Sequence, residues 1–196
     1  MALSLTYTKS AIQDYRKNLK VRQKALPVLL RKETALRQVI SNLKPHIEGL
    51  EKQFEAELKR LDRFETVWND MPSLVRVESV ELVSENIAGT RVKNLEAVHF
   101  KSLSINPLFE PAWLPASIEA LQKFIELKLE LRYTKLKLTE LESARKKTTQ
   151  KVNLYEKVQI PEYEGAILKV KRFLEDKENI ATAAKKIAKN RQIKRS

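Results

Sequence analysis

The chain has 196 residues, a formal net charge of +13, no cysteine and only three glycines. That length allows one or two ordinary domains, but so little glycine argues against a loop-rich enzyme, and the missing cysteine excludes disulfides and thiolate metal sites. No apolar run is long enough to span a bilayer and the N-terminus lacks a signal-peptide core, so the expectation is a cytoplasmic protein without direct membrane insertion.

The charge is unevenly placed. Residues 1–35 hold 8 basic against 2 acidic residues, 36–110 hold 10 against 12, 111–144 hold 5 against 5, and 145–196 hold 15 against 6. The excess belongs to the two chain ends. As independent tails they would suggest nucleic-acid or anionic-lipid binding, whereas in a chain folded back on itself they form one positive tip.

Near the N-terminus, Thr8 and Ser10 are candidate helix caps, with Asp14 early in the helix they open. Steps of three and four residues then give Ile12, Tyr15, Leu19, Arg22, Leu26, Leu29, Glu33, Leu36, Ile40, Leu43, Ile47, Leu50, Phe54, Glu57, Leu61, Phe64 and Trp68. A narrow apolar stripe held in phase this long describes a coiled-coil seam, which needs a matching stripe to bury it. Pro27 and Pro45 both fall off the stripe, so one helix bent at each proline is expected, ending near Asp70 ahead of Pro72.

The period then becomes two. Leu74 to Val83 and Arg91 to Phe100 read as strands, joined through Ser84 to Thr90 with Gly89 supplying a positive φ, which predicts a small β-hairpin. Asn106-Pro107, Pro111 and Pro115 mark a connector. From Ser117 the helical rhythm returns as Phe124, Leu127, Leu131, Thr134, Leu138, Leu141, Arg145, Thr148, Val152 and Tyr155. It slips by one residue beside Pro161 and resumes as Tyr163, Ala166, Val170, Phe173, Lys177, Ile180, Ala184 and Ile187.

The expected fold is therefore mainly α: a long antiparallel two-helix coiled coil from the N- and C-terminal helices, with a small β-hairpin inserted mid-chain. Its parts are residues 1–70, 71–115 and 116–196, together one elongated domain with the hairpin at or near the folded-over end. Chemistry is sparse. There is no phosphate-cradling glycine loop, His46 and His99 lie in unrelated segments without a second ligand at metal spacing, and the carboxylates are scattered, so neither catalysis, metal nor cofactor is expected.

Three stretches carry a family resemblance: the basic amphipathic N-terminal helix, ENIAGTRV at Glu85 to Val92, and KVNLYEKVQIPEYEGAI at Lys151 to Ile167. Together they resemble the D subunit of the V-type, also called A-type, rotary ATPase, the counterpart of the F-type gamma subunit. Glu33-Thr34 departs from the family's usual basic-acidic pair. The resemblance implies a non-catalytic central-stalk rotor axle, turning within the hexamer of catalytic A and B subunits. It also implies partnership with the rotor's F subunit and with a membrane-docked subunit above the ion-translocating ring, and a location peripheral to the membrane through the complex. Torque would serve ATP synthesis or ATP-driven proton or sodium transport.

On that reading the candidate partner contacts are Lys9, Arg16, Lys17, Lys20, Arg22, Lys24, Lys185, Lys186, Lys189 and Arg191 at the positive tip, with Lys194 and Arg195 following. Glu85, Asn86, Ile87 and Gly89 are the candidates in the hairpin. Without the family segments, a coiled-coil adaptor and a nucleic-acid binder through the basic ends remain alternatives. Against the second stand the few aromatics among the terminal cations and the absence of helix-turn-helix spacing.

Overall fold

A computed structural model of the chain describes residues 5–62, 75–101 and 114–193. Helix α1 spans Lys9–Asp62, strands β1 and β2 span Val77–Ile87 and Thr90–Phe100, and helix α2 spans Leu114–Asn153. A π-helical turn, Leu154–Gln159, follows directly, and helix α3 continues from it as Ile160–Ile193. The mainly helical fold with one mid-chain antiparallel hairpin is the one the sequence predicts.

Thr8 caps α1: its Oγ1 accepts from the Ala11 backbone N–H at 3.2 Å and its carbonyl from Ile12 at 3.3 Å. The helix runs unbroken through Pro27 and Pro45, both exposed. Every described member of the first ladder, Ile12 to Leu61, is buried or half-buried. Phe64, Trp68 and the expected stop near Asp70 lie outside the described residues, as do Leu74 and most of the proline connector. Helix α2 starts at Leu114, slightly before the expected Ser117. Pro115 sits within its first turn, where a missing N–H costs no intrahelical bond.

The chain forms two compact units, one from residues 1–31 with 148–196 and the other from 32–147. In the first unit α1 and α3 pack antiparallel. Ala11, Tyr15, Tyr163, Ala166 and Val170 form a buried cluster, and Lys9 Nζ meets Glu178 Oε1 at 2.8 Å. The tyrosine rings of the cluster lie 6.2 Å apart, and Tyr7 packs on Phe173 at 4.7 Å.

The second ladder is buried or half-buried up to Val170, but Phe173, Lys177, Ile180, Ala184 and Ile187 are exposed instead of lining a seam. For Ile180, Ala184 and Ile187 the reason is length: helix α1 begins at Lys9, opposite Glu178, and offers no turn to cover what α3 carries further on, whereas Phe173, short of that point, meets the Tyr7 ring ahead of α1.

In the second unit α1 and α2 pack antiparallel. Ile47 and Leu50 join Leu131, Phe54 stacks on Phe124 at 5.0 Å, and Glu51 pairs with Lys135 at 2.7 Å. Leu36 and Ile40 join Leu141, with Leu43 bridging towards Leu138, so the five residues Leu36, Ile40, Leu43, Ile47 and Leu50 do face the second helix.

The hairpin differs from expectation in two ways. Its strands reach the turn itself: Ile87 pairs with Thr90 across Ala88 and Gly89, whose φ values of 49° and 72° make a two-residue turn matched to strand twist. Glu85 and Asn86 are therefore strand residues instead of loop. Its position also differs from the folded-over end. Val92 is only 1% exposed and completes the cluster of Leu36, Ile40 and Leu141, while Ile87 and Ala88 pack against that cluster. Both leucines are 0% exposed because the hairpin forms a third layer over the helix pair.

Candidate functional site

Two of the hairpin residues the sequence singles out, Glu85 and Gly89, tie the hairpin to its helices. Glu85 sits opposite Val92 in the strand register, so its side chain shares the helix-facing side of the sheet. There it accepts from Asn94 Nδ2 at 2.7 Å and from Lys137 Nζ at 2.9 Å. These two hydrogen bonds hold its carboxyl below the usual glutamate value. Gly89 presents its carbonyl to Lys32 Nζ at 3.5 Å, and any side chain there would be strained by the positive φ of 72°. Ile87 is part of the core, whereas Asn86 is exposed beside Arg91. His99 lies 3.0 Å from Glu81, and His46 lines a cleft of about 210 Å³ with Lys93, Asn94 and Lys137.

In the unit of the chain ends, Arg16, Lys17, Lys20, Lys24, Lys185, Lys186, Lys189 and Arg191 are all exposed. Lys9 is exposed too, and its hydrogen bond to Glu178 raises its pKa while lowering that of the carboxyl. Every described side chain from Glu175 to Arg191 is exposed, including Ile180 at 70%. Lys194 and Arg195 lie outside the described residues.

Arg22 stands apart from the other cations. Occupying a seam position, it donates Nε to Gln159 Oε1 at 2.6 Å and Nη1 to the Asn18 carbonyl at 3.0 Å. Its guanidinium lies 4.6 Å from the Tyr163 ring centre and 5.9 Å from that of Tyr155.

Glu33 is a charge in the ladder that the sequence does not assign a role, standing in place of an apolar residue. Glu33 is 8% exposed, and its Oε1 accepts from Arg37 at 2.9 Å and Arg145 at 3.3 Å. Burial pushes its carboxyl up, but the hydrogen bonds and charges of the two guanidiniums pull harder, and its pKa lies below the ordinary value. Among the described residues no cluster of His, Asp or Glu could hold a metal ion, and no helix is long and apolar enough to cross a membrane.

Paired antiparallel helices keyed by seam charges, clasped by a hairpin, and carrying apolar and cationic side chains in solvent, are the build of a coiled-coil component of a larger assembly. The family match agrees with that class. The chain belongs to the ATP synthase D-subunit family, whose sequence model matches residues 11–190. It is 29% identical over 197 aligned residues to the V-type ATP synthase D subunit of Borreliella burgdorferi, covering 96% of this chain and 95% of that protein. Similar relatives of the same name come from Chlamydia pneumoniae, at 24% identity over 97% of this chain and 94% of the other, and from Thermus thermophilus, at 25% over 87% and 81%. Membership makes this chain a component of a rotary ATPase complex.

Proposed function

We propose that the chain is the non-catalytic central-stalk rotor subunit, carrying torque between the catalytic hexamer and the membrane ion-translocating ring. The observation that carries this reading is where the uncovered apolar surface lies. Of the fourteen exposed large apolar side chains among the described residues, ten belong to the unit of the chain ends, including Val21, Val28, Leu168, Ile180 and Ile187. The same unit bears the exposed candidate cations Arg16, Lys17, Lys20, Lys24, Lys185, Lys186, Lys189 and Arg191. Apolar side chains interleaved with charge on a thin helix pair are costly in water and suit a surface turning inside a protein sleeve.

On this reading Lys9, Arg16, Lys17, Lys20, Lys24, Lys185, Lys186, Lys189 and Arg191 meet carboxylates of the A and B subunits through many weak contacts. Glu85, Asn86 and Gly89 border a hairpin surface offered to neighbours, which include the rotor's F subunit and the membrane-docked stalk subunit. Arg22 supports the unit of the chain ends from within, and Ile87 supports the hairpin, each by packing. The complex keeps the chain cytoplasmic and peripheral to the membrane, and nucleic acid is not among its partners.

A tagged full-length chain recovered from its own cells should bring down two large nucleotide-binding subunits and an ATPase activity that the chain alone lacks. Recovery of nucleic acid instead, released steeply as salt rises, would overturn the reading.

A further inference from the structure

Tyr155 and Tyr163 both face Arg22, yet they stand eight residues apart. On a coiled-coil seam seven residues return to the same face, so the eighth carries a surplus rotation of about 100° in an ordinary α-helix. The surplus is absorbed by the π-helical turn Leu154–Gln159, in which the Ile160 N–H reaches back five residues to the Tyr155 carbonyl. Pro161 follows at once and has no N–H to offer the preceding turn.

Tyr155 lies at the start of the wide turn, just after Leu154, Gln159 closes it, and Tyr163 lies just beyond it. All three converge on one guanidinium projecting from α1. Were the turn to tighten to α-helical winding, α3 would rotate relative to α2 and carry Tyr163 and Gln159 away from Arg22. The cluster Ala11, Tyr15, Tyr163, Ala166 and Val170 would be presented out of phase as well.

We propose that Arg22 is a positioning residue that latches the π turn, and that the turn is a two-position torsional joint setting the rotational phase of α3 against α1. Wide, the joint keeps Tyr163, Ala166 and Val170 on the seam. Tightened, it turns α3 by about 100° on its own axis. Arg22 biases the joint to the wide position through its cation–π contacts and its hydrogen bond to Gln159. The inference rests on the geometry of this unit alone and not on the rotor reading, so the two fail separately.

The chain lacks cysteine, which lets spin labels be placed at will. Labels at Gln13→Cys on α1 and Lys169→Cys on α3, in the full-length chain, report the phase by pulsed dipolar spectroscopy. Lys24→Cys with Lys151→Cys, ahead of the joint, is the control pair. The parent is expected to give one narrow distance. Arg22→Ala should add a second population displaced by up to about 8 Å, the chord of a 100° rotation at the helix surface, and leave the control pair unchanged. Arg22→Lys, which cannot stack as a plane, should do the same.

Deleting Val158 restores a seven-residue spacing. The deletion combined with Arg22→Ala should therefore return the single narrow distance, which no general loosening of the helix pair would do. A single unshifted distance in Arg22→Ala would overturn the proposal. So would a double variant that stays broadened, or an Arg22→Ala protein that loses helical signal and is not rescued by the deletion.

Discussion

Removing the Glu33 carboxylate should expose how much the buried charge contributes to the helix pair. In Glu33→Ala the acceptor of two guanidiniums disappears at a seam position whose side chain is 11% exposed. Losing one partner of a fully buried pair costs about 3–5 kcal/mol, but Arg145 is 39% and Arg37 64% exposed and both can rehydrate. About 2 kcal/mol is therefore expected, a drop of roughly 4–8 °C in melting temperature for a chain of this size. Glu33→Leu, which refills the site with apolar volume, should lose less than Glu33→Ala.

The folded-state pKa of Glu33 is depressed, so its stabilisation is present above the unfolded glutamate value and is lost as pH falls through the folded one. Helical circular dichroism followed through thermal melts at pH 7 and at pH 3 to 4 should show the gap between parent and Glu33→Gln narrowing with acid. Equal melting of parent and Glu33→Ala at neutral pH, or a gap that widens with acid, would refute the reasoning.

Leu43 bridges two buried clusters, so Leu43→Asp should cost several kcal/mol, read as a large loss in melting temperature; unchanged melting and assembly would mean the seam is assigned wrongly. Leu141 is 0% exposed among Leu36, Ile40 and Val92, and Leu141→Ala should lose about 2–5 kcal/mol in denaturant titration. Replacing Val77–Phe100 by a short Gly-Ser linker uncovers that cluster, so the helices should stay helical but melt earlier, and the assembled ATPase should change in rate or coupling. Neutralising Lys185, Lys186, Lys189 and Arg191 together should make assembly more sensitive to salt, whereas any one alone changes ATP turnover little.

The long-range order of this fold was written in the ladder, because burial in a two-helix packing follows the same three-four spacing that a sequence displays. Even the one-residue slip before Tyr163 was visible, and it became the π turn. What joined it to Arg22 was not, since a cation in a seam reads as a defect until the aromatic rings opposite are located. Glu33 and Arg145 were hidden in the same way, each reading as an exception in its own helix until the other is placed opposite.

The hairpin was legible as two strands but not as a core layer. Ser84, Glu85 and Asn86 have the polarity of a loop, and only pairing across Ala88 and Gly89 makes them strand. Val92 meets Leu36 and Leu141 through contacts that no local pattern encodes. Beyond Glu178 the apolar rhythm of α3 continues with Ile180 and Ile187 although α1 is no longer alongside, so periodicity alone promised a seam there. Those residues keep the pattern of a packed helix, which suits a covering supplied by another chain.

The central claim, that this chain turns while the catalytic subunits stay still, is tested most directly by watching it turn. In an assembled complex immobilised through its catalytic subunits, a bead attached at Ser84→Cys, an exposed strand residue in a chain otherwise free of cysteine, reports the motion. Addition of ATP should drive rotation in one direction, in three equivalent steps per turn, and removal of ATP should stop it. A bead that stays at rest while the same complexes hydrolyse ATP would contradict the account.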